Sequence, residues 1–83
     1  MTKSDGQQFK ELEVTATEEE LKGVYSNLAR VTFTKNEFVL GFVFNVGNEA
    51  HLVSRVVVTP EHIRQINKVI SDSLEEYEET FSK

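Results

Sequence analysis

Between Val24 and Val58 the chain carries large apolar residues at both parities of a β pattern, and that double coating is what most limits its fold. Successive side chains of a strand point to opposite faces, so a sheet with one wet side alternates apolar and polar residues. The segments Val24 to Thr34, Glu37 to Val46 and His51 to Val58 are rich in the β-branched and aromatic residues that suit a pleated surface. Polar breaks separate them, at Thr34-Lys35-Asn36-Glu37 and at Gly47-Asn48. Gly-Asn belongs to the favoured two-residue hairpin pairs, and Lys-Asn is a weaker turn. Short connections make consecutive strands antiparallel, so this stretch reads as a β-meander.

Closing the hairpins at Lys35-Asn36 and Gly47-Asn48 predicts Phe33 opposite Phe38, Val31 opposite Leu40, Ala29 opposite Phe42, and Phe42 beside Val53. One face then holds Tyr25, Val31, Phe33, Phe38, Leu40, Phe42, Phe44, Val53 and Val57, interrupted by Asn27 and by Arg55 opposite Leu40. The other holds Val24, Leu28, Val39, Val43, Leu52, Val56 and Val58, diluted by Ser26, Arg30, Thr32 and Ser54. Both are mostly apolar.

Upstream, Leu12, Val14 and Ala16 alternate with Glu11, Glu13 and Thr15, which predicts a further short strand over Phe9 to Ala16. Thr17 to Gly23 reads as a capped helical turn, with Thr17 and Glu20 as a capping box and Gly23 as the exit. Residues 1–8 have the composition of a disordered tail, leaving 9–83 as one domain. Downstream, Thr59-Pro60 switches the period from two to 3.6, with Thr59 as N-cap and Pro60 at the first helical position. Ile63, Ile66, Ile70, Leu74, Tyr77 and Phe81 then share one stripe of a helix reaching about Thr80. Glutamates at 75, 76, 78 and 79 oppose the helix dipole, so the last turn is expected to fray unless something packs on Tyr77 and Phe81. The fold class that results is α+β: an antiparallel meander of three to four strands followed by one long C-terminal amphipathic helix.

A single helix covers one side of a sheet. Leaving the other face bare forgoes roughly 1.5–3 kcal/mol for each large side chain, on the order of 10 kcal/mol in all, comparable with the whole stability of a domain. The expectation is therefore a homo-oligomer, with Phe42, Val56, Leu74, Tyr77 and Phe81 as interface candidates. A sheet curled into a half-barrel, or an N-terminal segment folded across it, would be the alternatives.

Composition narrows the function classes. At 83 residues there is room for one core, and 39% apolar with 28% charged residues suits a folded chain with a soluble surface. No cysteine is present, which excludes disulfides, thiolate metal sites and thiol nucleophiles. A net charge of −5 repels phosphate and disfavours DNA. No apolar run is long enough for a membrane span or a secretory signal, so the expected location is the cytoplasm. His51 and His62 lack the neighbours of a metal site, no cofactor motif is present, and Ser54 and Ser71 have no base at catalytic spacing. The reading is a non-enzymatic, self-assembling structural or interaction module. The runner-up is an RNA- or anion-binding homo-oligomer using Arg30, Arg55 and Asn27. Arg55 stands out because a guanidinium inside an apolar face needs a partner, either an anion or a glutamate of the helix or of a neighbouring subunit. For Asn27 the competing role is to satisfy the backbone at a strand end.

The string Gly23-Val24-Tyr25-x-Asn27, then Glu37-Phe38-Val39-Leu40-x-Phe42, Val53-Ser54-Arg55 and Pro60-Glu61-His62, with Tyr77-Glu78 near the end, resembles a family of small prokaryotic domains of unknown function. The chain departs from that pattern at Ile63 and Arg64, where the family usually has a small residue and a lysine. The resemblance implies one compact domain and no particular activity.

Overall fold

A computed structural model describes residues 12–82. Its elements are α1 (Glu18–Lys22), β1 (Leu28–Phe33), β2 (Phe38–Val46), β3 (Glu49–Val58) and α2 (Pro60–Phe81). The strands form one antiparallel sheet in the order β1-β2-β3, followed by the long helix, which is the α+β meander that the hydrophobic pattern predicts. The sheet lies wholly within one compact unit, Ala16–Ile63, and most of α2 within another.

Local chemistry explains where α1 starts and stops. The Thr17 hydroxyl accepts from the Glu20 amide at 3.0 Å, and the Glu20 carboxylate accepts from the Thr17 amide at 2.9 Å, closing a reciprocal box. Gly23 then takes φ 79, open to a residue without Cβ.

The first hairpin has the predicted register, with Phe33 opposite Phe38, Val31 opposite Leu40 and Ala29 opposite Phe42. The Phe33 and Phe38 rings lie 5.3 Å apart and close the turn end. The Thr34 amide donates to the Glu37 carbonyl at 2.9 Å, while the Thr34 hydroxyl accepts from the Asn36 amide at 3.3 Å. β1 begins at Leu28 rather than at the predicted Val24. Side chains supplement the backbone there: the Asn27 amide still donates to the Val43 carbonyl at 3.1 Å, the Ser26 hydroxyl donates to the same carbonyl at 3.2 Å, and the Asn27 side-chain amide brackets the Asn45 backbone.

The second hairpin turns at Gly47-Asn48, with Val46 opposite Glu49 and a positive φ of 62 at Gly47 alone among the two, the φ pattern of a type II′ turn. Between Phe42 and Val43 the register slips: Val43 faces Leu52 but Phe42 faces Ser54, leaving Val53 as the extra residue of a β-bulge. This corrects the expected pairing of Phe42 with Val53. It also reverses the parity of β3 beyond the bulge, so Arg55 lies opposite Gly41 rather than Leu40, and Val56 opposite Leu40.

For α2, the Thr59 hydroxyl accepts from the His62 amide at 3.1 Å and Pro60 opens the helix, as the sequence predicts. The helix runs to Phe81, with the Tyr77 and Phe81 rings 5.2 Å apart across its last turn. The expected strand over Phe9 to Ala16 is not formed by Leu12–Ala16, which carry no ladder; Leu12 and Val14 are exposed. Residues 9–11 and the tail 1–8 lie outside the described residues.

No described side chain is buried. The middle of β2, Phe38–Val43, is half-buried by its two neighbouring strands, while Phe33 on β1 stands 70% exposed and Val57 on β3 54%.

Candidate functional site

Partners directly across a ladder share a face, so the register assigns every strand side chain. β1 gives Ala29, Val31 and Phe33 to one face; β2 adds Phe38, Leu40, Phe42 and Phe44; beyond the bulge β3 adds Ser54, Val56 and Val58. Tyr25 joins this aromatic face, its ring meeting Phe44 edge-on at 5.5 Å. Its histidine and its acid are confined to the Gly47 end, where His51 faces Phe44 and Glu49 faces Val46.

The opposite face is built around a row of three residues. Arg30 on β1 and Arg55 on β3 both pair with Gly41 on the central strand. With strands about 4.8 Å apart, their backbones stand roughly 10 Å from each other. Gly41 puts no side chain between them, so the two guanidinium-bearing chains flank an open floor. The groove encloses about 370 Å³ and is otherwise walled by Leu28, Thr32, Val39, Val43 and Leu52. A Cβ on Gly41 would meet Leu52 Cδ1 at 3.6 Å and the Arg30 carbonyl at 3.9 Å, ordinary contacts, so the fold itself tolerates a side chain at this floor.

Sequence alternation placed Arg30 and Arg55 on opposite faces, and the bulge at Val53 brings them together. The signal that could have found this is the misfit itself: a charge among phenylalanines is relieved when one extra residue moves it across the sheet. Gly41 is a second such signal, because a glycine inside a strand often marks a bulge or a close approach. Among the described residues the ion pairs are Lys22–Glu19 at 3.5 Å and Lys68–Asp72 at 3.1 Å, each within one helix. Neither groove arginine joins one of these.

Asn27 has a structural occupation. Its Nδ2 donates to the Asn45 carbonyl at 2.9 Å and its Oδ1 accepts from the Asn45 amide at 2.8 Å, a two-point imitation of a strand pair. The interface candidates Phe42 and Val56 share the aromatic face, a change from the opposite faces that strict alternation assigns them. On α2, Leu74, Tyr77 and Phe81 are 54%, 58% and 71% exposed along one stripe. Among the described residues no group of histidines and acids is arranged to hold a metal, and no helix is long and apolar enough to cross a membrane.

These features define a small sheet-and-helix domain with one aromatic face and one arginine-flanked face. Residues 1–83 match the model of DUF3467, a protein family of unknown function, and the chain belongs to that family. No curated protein and no solved structure matches it.

Proposed function

We propose that this domain is a non-catalytic, self-assembling structural or interaction module of the cytoplasm whose partner is a second copy of itself. The observation that carries the reading is the state of its sheet: both faces are largely apolar, and no described side chain on either is buried. A three-stranded sheet becomes stable when a hydrophobic face is packed against something. One amphipathic helix per chain supplies one such cover, and two faces need two. The remaining face exposes Val31, Phe33 and Phe44 on one side, or Leu28, Leu52 and Val57 on the other. Either set forgoes several kcal/mol, at about 1.5–3 kcal/mol for each fully buried side chain. Contiguous apolar patches of this kind mark association surfaces, and closed homo-oligomers are the commonest way to cover them.

The alternative of an RNA-binding oligomer is less well supported. Single-strand platforms stack bases on rings beside basic side chains, whereas here the rings occupy one face and Arg30 and Arg55 the other. Light scattering on the purified chain tests the main reading. The expected mass is a dimer or a higher closed oligomer, and Phe42→Asp lowers it. A wild-type monomer at all concentrations with a fully cooperative unfolding transition would refute the reading.

A further inference from the structure

We infer that the arginine groove receives the acidic end of α2 from a second copy of the chain, the contact being reciprocal about a two-fold axis. This specifies a surface for the self-assembly proposed above and rests on it. Two observations converge.

The first is charge. Arg30 and Arg55 straddle Gly41 without an ion pair among the described residues. The last two turns of α2 carry Glu75, Glu76, Glu78 and Glu79, no basic residue lies in the last turn, and none of these acids joins an ion pair among the described residues. On a helix turning about 100° per residue, Glu78 lies beside the Leu74–Tyr77–Phe81 stripe, while Glu75 and Glu76 lie farther round on either side, roughly 130° from its centre. A stripe seated over Gly41 therefore brings Glu78, with Glu75 behind it, to the arginine on that side, across a floor of Val39, Val43 and Leu52 that suits its apolar residues.

The second is the choice of face. The aromatic face has no arginine or lysine among its strand residues, only His51 and Glu49 near the Gly47 turn. An acidic amphipathic helix finds its counterions on the groove side alone.

Charge reversal tests the contact. Two variants are made, Arg30→Glu/Arg55→Glu in the groove and Glu75→Lys/Glu76→Lys/Glu78→Lys on the helix, with circular dichroism confirming that each retains its fold. A control carries the groove variant's charge change elsewhere, as Lys22→Glu/Lys35→Glu. By sedimentation velocity each contact variant alone self-associates on the order of 100-fold more weakly than the wild type, because like charges now meet. An equimolar mixture returns to near wild-type affinity, since in the mixed dimer one contact pairs reversed with reversed and the other native with native. The control stays at wild-type affinity. A mixture no tighter than its components would place the contact within one chain, and contact variants that associate like the wild type would remove the groove from assembly; either overturns the inference while leaving self-association standing. A wild-type chain that is monomeric throughout removes both. Labelled polyuridylate bound by the wild type and lost only on groove reversal, with no rescue by mixing, would reassign the groove to nucleic acid.

Discussion

The two faces of this sheet are made by the same strands yet have different chemistry. One is a pavement of phenylalanine and valine, and the other is an aliphatic groove guarded by Arg30 and Arg55. The difference arises from a single extra residue. Were Val53 paired in the ladder rather than bulged out, strict alternation from the Gly47 turn would carry Arg55 into the aromatic pavement and pull Val56 and Val58 out of it. The bulge exchanges them, concentrating charge on one side and rings on the other. One bulged residue thus separates a mainly aromatic and aliphatic surface from one that carries two arginines.

Four substitutions break or sharpen that contrast. The largest effect is expected from Phe42→Asp, which puts a carboxylate at the half-buried centre of the aromatic face. Stability to urea falls by about 3 kcal/mol or more as burying the charge becomes untenable, and the assembled mass is lost with it. Asn27→Ala removes both side-chain bonds to the Asn45 backbone just before β1 begins. It is expected to cost about 1–2 kcal/mol in urea unfolding, with increased hydrogen exchange at the Asn45 amide. Thr59→Ala removes the cap of α2 and costs about 1 kcal/mol, read as a lowered thermal midpoint. Gly41→Ala has the smallest effect. The added methyl meets only ordinary contacts and stiffens a strand, so the midpoint shifts by less than about 1 kcal/mol. A collapse of the fold at that position would mean that the floor of the groove is sterically required.

Much of this was legible in the residues. The Thr17–Glu20 box, the Thr59-Pro60 helix start and the β1–β2 register all follow from local rules acting where no other structure competes. Two features did not follow. The run Val53 to Val58 is so nearly continuous in apolar residues that either parity satisfies it, and a bulge, which costs one ladder position, leaves no fixed residue signature. The alternation of Leu12, Val14 and Ala16 satisfies a strand pattern, but a strand also needs an edge to pair with, and a pattern in one segment says nothing about its neighbour. At the start of β1 the side chains of Ser26 and Asn27 supplement the backbone partners, which propensity alone does not distinguish from a longer strand. The groove depended on the bulge and was hidden with it, although its two arginines had each drawn notice separately.

Folding that depends on a second copy has a thermodynamic mark, because the unfolding midpoint of an oligomer rises with chain concentration. Thermal unfolding followed by circular dichroism over about a hundredfold concentration range reads that mark directly. A midpoint that climbs steadily with concentration, alongside a sedimentation mass above that of one chain, is the predicted result. A midpoint that does not move, with a single-chain mass at every concentration, would contradict the account.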